Sequence, residues 1–155
     1  MSTVLDVQDL VVSYDGKRNV LDHISLQVRP GETFGLIGLN GEGKTTLIKT
    51  LLGLRQARSG RLSLMGRDTQ DPSARAELAY LPERFDPPWF LGGMDFVKFS
   101  ATLYHRKVAA NDVVQMATGL GLDPAALPRS VNTYSKGMRQ KLGLIATVST
   151  GCSVL

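Results

Sequence analysis

An α/β fold organised around a phosphate-binding loop is what this 155-residue sequence predicts, and three observations carry that reading. The stretch "GLIGLNGEGKTTLIK", Gly35 to Lys49, contains Gly38, four free positions, then Gly43, Lys44 and Thr45, the spacing that lets glycine-rich backbone turn several N–H groups toward one anion. The residues before it, "ETFGLI" from Glu32 to Ile37, are apolar and partly aromatic or β-branched, as a buried strand is. Those after it, "KTTLIKTLLGL", place Leu47, Ile48, Leu51 and Leu52 on one helical face, with Gly53 as the stop. Strand, glycine loop and helix in that order suit a nucleotide polyphosphate, because a helix N-terminus adds unpaired N–H groups and a positive dipole end. Lys44 would neutralise the β and γ phosphates, Thr45 would ligate Mg²⁺, and Thr46 would lend a further hydroxyl.

The elements follow in order. "TVLDVQDLVVSY" and "VLDHISLQV" read as strands, separated by a turn at "DGKR" and closed by one at "RPGE". "GRLSLMG", Gly60 to Gly66, and "ELAYLP", Glu77 to Pro82, read as two further short strands. The period then becomes helical, with Met94, Val97, Ala101 and Tyr104 along one face of "GGMDFVKFSATLYHRK", a second helix in "ANDVVQMATGLGL", and breaks at Pro124 and Pro128. Helix resumes at "SKGMRQKLGLIATV" with Ser135 as its N-cap.

Composition narrows the function classes. A hydrophobic content of 43% is that of a globular chain, and the 18 basic residues behind a net charge of +4 are scattered as on a solvated surface, so no nucleic-acid partner is expected. The single cysteine, Cys152, excludes an intrachain disulfide and suits a reduced, cytosolic setting. "MSTVLDVQD" is not a secretory signal, and the longest uncharged stretch, Leu142 to Leu155, falls short of the roughly 20 residues that span a bilayer, so membrane contact would be peripheral. His23 and His105 lie far apart, without metal-ligand spacing, and receive no role.

In the order of these parts the chain resembles the nucleotide-binding domain of ABC transporters. "GLNGEGKTT", Gly38 to Thr46, looks like that family's Walker A loop, so that Gly38, Leu39, Asn40, Gly41, Glu42, Gly43, Lys44, Thr45 and Thr46 are its implied ATP-binding residues. "YSKGMRQKL", Tyr134 to Leu142, looks like the signature motif, with Tyr134, Lys136 and Met138 in place of the usual Leu, Gly and Gln. Together with "YLPE", Tyr80 to Glu83, it is similar to the drug-exporter-like bacterial subclass. Tyr14, 24 positions before Gly38, matches the aromatic that stacks on adenine. Glu83 stands where the family usually has a glutamine facing Mg²⁺, and "FDPPWFL", Phe85 to Leu91, is either a docking loop for a membrane subunit or covered by the helical part.

The resemblance implies a P-loop NTPase fold with a RecA-like core sheet, an N-terminal antiparallel β subdomain and a helical signature-motif subdomain. The divisions would be residues 1–84, 85–140 and 141–155, the last a return toward the core. It also implies ATP and Mg as ligands and a permease partner in the membrane. In a head-to-tail dimer, Ser135, Lys136, Gly137 and Met138 of one copy would close over the nucleotide of the other. No residue matches the family's Walker B strand, catalytic glutamate, D-loop or switch histidine, so the domain is expected to be incomplete at its C-terminus and inactive alone. Two function classes stay open: the ATP-hydrolysing subunit of a transporter, or a nucleotide-binding module without turnover.

Overall fold

The computed structural model describes residues 3–155, in two compact units that divide between Glu77 and Leu78. In the first unit β1 (Leu5–Ser13), β2 (Asn19–Val28), β3 (Ser59–Leu64) and β4 (Arg67–Asp68) form an antiparallel sheet in the order β2-β1-β3-β4. The buried positions of β1 are Val7, Leu10, Val11 and Val12, so a strict two-residue alternation fails between Val7 and Leu10. A bulge absorbs the extra residue there, since the pairing register with both β2 and β3 shifts after this point. Asp9 and His23 take left-handed backbone at the bulge, with φ of 50° and 51°. Hydrogen bonds hold it: Asp9 N–H donates to Ser25 Oγ (2.9 Å), and His23 Nδ1 lies 2.6 Å from Asp9 Oδ1. That bond and the Asp9 charge raise the pKa of the exposed His23 imidazole.

The turn between β1 and β2 falls on "DGKR" as the sequence predicts. Asp15 Oδ1 accepts from the N–H groups of Lys17 (2.9 Å) and Arg18 (3.1 Å), which holds its carboxyl below the usual range. The hairpin from β3 to β4 turns on Met65 and Gly66, both at positive φ (49° and 78°), a geometry matched to the twist of its strands. Neither β4 nor the 3₁₀ helix Pro72–Glu77 follows from the sequence pattern.

Helix α1 (Lys44–Leu51) begins at the glycine loop and packs Leu47 into a core of Val7, Leu10, Val12, Leu21 and Leu62. Its buried face is Thr46, Leu47 and Thr50, whereas Ile48, Leu51 and Leu52 are half-buried, so the predicted face of Leu47, Ile48, Leu51 and Leu52 is rotated by about one position. Thr50 tolerates burial because its hydroxyl donates to Thr46 O within the helix (2.8 Å). Gly53 stops the helix as expected. At φ of 69° it lets its own N–H reach Thr50 O (3.0 Å) and Leu54 N–H reach Lys49 O (2.9 Å), the paired bonds of a Schellman ending.

The predicted strand Glu32 to Ile37 does not form: these residues are in no ladder, and Ile37 is 94% exposed. An apolar run becomes a buried strand only between neighbours that take up its backbone groups and cover both faces, and the described sheet supplies none beside it. The strand expected at Glu77 to Pro82 shrinks for the same reason to one parallel bridge, Leu78 with Val154, closed by Ala79 N–H to Val154 O (2.9 Å).

The second unit is helical. Helices α2 (Gly93–Leu103), α3 (Ala110–Gly119) and α4 (Lys136–Ser149) enclose Val97, Val113, Ala117, Leu122, Leu142 and Ile145, each 2% exposed or less. Of the predicted α2 face, Val97 and Ala101 are fully buried, Met94 packs against the core, and the Tyr104 hydroxyl donates to Leu78 O (3.3 Å). Pro124 opens a short 3₁₀ turn capped by Asp123, whose Oδ1 accepts from Ala125 N–H (3.0 Å).

Candidate functional site

The loop between the unpaired segment and α1 carries the densest chemistry of the chain. Gly41 and Gly43 sit at φ of 90° and 91°, where a side chain would be strained. At Gly43 a Cβ would also lie 2.9 Å from the backbone oxygen of Val20. No side chain caps α1, so its first-turn N–H groups face the loop, without intrahelical partners and without acidic neighbours in that turn. The Lys44 side chain curls back: its ammonium donates to Gly38 O (2.7 Å) and Leu39 O (2.6 Å). Glu42 folds over the same turn, its Oε2 accepting from Leu39 N–H (2.7 Å). A Cβ at Gly38 would stand 2.5 Å from that oxygen. Asn40 and Thr45 are exposed.

This donor set suits a polyphosphate. Lys44 brings a cation already directed into the turn, and the helix end brings free amides and the positive end of a dipole. Glu42 opposes this, since its carboxylate occupies an amide that an incoming anion would want.

Tyr14, just past the end of β1, is tied to the loop by a 2.9 Å hydrogen bond between its hydroxyl and Thr46 Oγ1. Arg55 lies over the ring, its Cζ 3.9 Å from the ring centroid. The Thr46 hydrogen bond is the main cause that lowers the pKa of the phenol; burial opposes it, and the charges of Arg55 and Lys49 add smaller lowering effects. Thr46 is buried, so its hydroxyl serves Tyr14 in this structure. Arg55 has no signature in the sequence: it is one cation after a helix-stopping glycine, and only the backbone turn at Gly53 shows where it goes.

In the second unit Ser135 caps α4 as predicted, with Oγ accepting from Met138 N–H (3.2 Å). Lys136 and Gly137 are exposed beside it, and Met138 packs against the core. The tyrosine that stands for leucine at position 134 has a structural cause. It is 2% exposed, its hydroxyl donates to Ala126 O (2.8 Å), and it leans on Gly93, where a Cβ would come within 2.2 Å of the hydroxyl.

The side chain of Glu83 is exposed, while its backbone oxygen accepts from Gln140 Nε2 on α4 (3.1 Å). Nearby, Arg139 approaches Asp86 at 3.6 Å. Trp89 and Phe90 are 70% and 66% exposed and meet edge to face with centroids 5.7 Å apart, and Ser130 Oγ donates to Trp89 O (2.7 Å). No described helix is long and apolar enough to cross a membrane.

A glycine loop opening a helix, an aromatic docked on it, and a serine-capped helix in a separate helical unit define a P-loop nucleotide-binding class. The chain belongs to the ABC transporter family, whose profile matches residues 21–155. It is 36% identical over 127 residues to an uncharacterized ABC transporter ATP-binding protein of Synechocystis, covering 80% of this chain and 36% of that one. A bacitracin transport ATP-binding protein of Bacillus licheniformis is 30% identical over 149 residues, covering 93% and 47%. Among solved structures, an ATP-binding subunit of an ABC transporter superposes with a TM-score of 0.85 at 31% identity, covering 96% of this chain and 62% of that one. The chain therefore spans about a third to a half of the length of these curated relatives.

Proposed function

We propose that this chain binds Mg·ATP through the Gly38–Thr46 loop, as part of the ATP-binding subunit of an ABC transporter working with a separate membrane permease. The observation that carries this reading is the Lys44 ammonium, held inside a turn of two positive-φ glycines at the uncapped start of α1. Lys44 takes the phosphate charge and Thr45 offers its exposed hydroxyl to Mg²⁺, which when bound would offset the charge between phosphate oxygens. Tyr14 offers a ring face to adenine. Ser135, Lys136 and Gly137 form a second anion-seeking helix end, fit to close over the nucleotide of another copy in a head-to-tail dimer. The exposed Trp89 and Phe90 support a docking loop for the permease on the inner membrane face. Division into residues 1–84, 85–140 and 141–155 remains part of this reading, as does a cytoplasmic position.

The groups that the chain brings to the phosphates hold charge, and none is matched to a base that would position a water. Titration calorimetry should therefore show saturable Mg·ATP binding and none for adenosine. Phosphate release should not exceed that of a Lys44→Ala control. Lack of Mg·ATP binding by the folded chain would overturn the assignment, and Lys44-dependent multiple turnover would mean that the chain carries its own base.

Glu83 is read here as a bystander to nucleotide affinity, because its side chain is exposed and Lys44 with the loop amides supplies the charge that meets the phosphates. Glu83→Gln should leave the Mg·ATP dissociation constant within about twofold, less than a single hydrogen bond to a charged group is worth. A loss beyond about tenfold would make it a metal ligand.

A further inference from the structure

We propose that Arg55 is a positioning residue for the nucleotide base, bracing Tyr14 from behind so that the opposite ring face is presented; this rests on the nucleotide reading above. Two contacts and one exposure within the first unit support it. The Tyr14 hydroxyl is pinned to Thr46 Oγ1 at 2.9 Å, which fixes one end of the ring to the start of α1. The guanidinium of Arg55 covers one ring face at 3.9 Å from the centroid. Tyr14 nevertheless remains 52% exposed, and with one face covered and the hydroxyl tied, that exposure belongs to the other face and its edges. A tyrosine at the end of a strand would otherwise rotate about χ1 and χ2, and stacking on a base would have to order it first.

The placement of Arg55 follows from local backbone chemistry. Gly53 at φ of 69° ends α1 with its two Schellman bonds, and two positions later the Arg55 guanidinium reaches the Tyr14 ring, itself tied to Thr46 at the start of the helix. Arginine suits the position better than lysine does. Its planar guanidinium lies flat on an aromatic face, and it is weakly enough hydrated to stay there at a half-buried site. Arg55 is therefore assigned to the base and not to the phosphates, where the Lys44 ammonium is already placed.

The two roles separate by ligand. Arg55→Met keeps the length of the stem and removes the planar cation. It should weaken Mg·ATP binding about three- to tenfold and leave Mg·tripolyphosphate, which has no base, within twofold. Arg55→Lys should fall between parent and Arg55→Met. In a Tyr14→Ala background, Arg55→Met should have no further effect on ATP, since the brace then has nothing to hold. Equal weakening for both ligands would place Arg55 at the phosphates or in the general stability of the loop, and would overturn the proposal. Tighter ATP binding by Arg55→Met would overturn it as well, because Arg55 would then be blocking the base. Unchanged ATP binding in a parent chain that does bind ATP removes the role of Arg55 alone; failure of the parent to bind ATP removes the nucleotide reading, and the role with it.

Discussion

Lys44→Ala is expected to lower Mg·ATP affinity by at least about a hundredfold. A lysine bridging two phosphates makes charge-assisted hydrogen bonds worth about 1.5–3 kcal/mol each, and every 1.4 kcal/mol is a factor of ten. The structure adds a reason why no neighbour can substitute. The first turn of α1 carries no other cation, and the next one along the helix, Lys49, lies about one and a half turns on. In the free loop the Lys44 ammonium bonds Gly38 O and Leu39 O, and both carbonyls reach solvent once it is gone, so the variant should fold. Calorimetry on parent and variant, with circular dichroism as the check on folding, measures the effect. Affinities within a factor of three of each other would remove the phosphate-loop assignment.

Gly60→Ala is expected to cost about 2–4 kcal/mol of stability, the sum of left-handed backbone in a residue with a Cβ and of overpacking against atoms that cannot rotate away. Gly60 sits at φ of 90°, and a Cβ there would lie 2.4 Å from Asp9 O and 2.6 Å from Gln8 O. Both are backbone atoms of the β1 bulge, fixed by the register shift and by the Asp9–Ser25 hydrogen bond, so relief would require β1 to part from β3. Gly16→Ala is the internal control. Its φ of 74° carries the backbone strain, while nothing lies within 4 Å of the added carbon, which leaves a cost of about 1–2 kcal/mol. Urea unfolding of both variants would separate crowding from strain. Equal destabilisation of the two would mean that the bulge yields, and that the close approach at Gly60 is not a constraint on the sheet.

The parts of this molecule that were legible in the sequence are those whose causes are local. The Ser135 cap and the Gly53 stop each depend on a few consecutive residues, as does the Asp15 turn, and each formed where it was read. The segment Glu32 to Ile37 was misread because a buried strand depends on distant neighbours, and apolar character alone cannot supply their hydrogen bonds. The α1 face was misplaced because counting apolar residues ignores a threonine that satisfies itself on the preceding turn and so can be buried. The glycine loop itself could be read from spacing, since a turn that directs several N–H groups at one point demands particular residue types in a fixed order. Arg55 and the inward fold of Glu42 could not, because both follow from where the backbone sends an ordinary charged side chain.

The contact between Tyr134 and Gly93 imposes an order on any path of sequence change through this helical unit. A methyl group at position 93 meets the phenol head-on, so Gly93 cannot accept a side chain while the tyrosine is in place. Shrinking Tyr134 is permitted on its own, at the cost of a void and of a carbonyl at Ala126 that loses its donor. The door therefore opens from one side. A lineage or a designer moving toward leucine at 134 must pass first through the loosened intermediate and only afterwards refill the space from α2, and the reverse order leads through a clash between the start of α2 and the buried phenol that precedes α4.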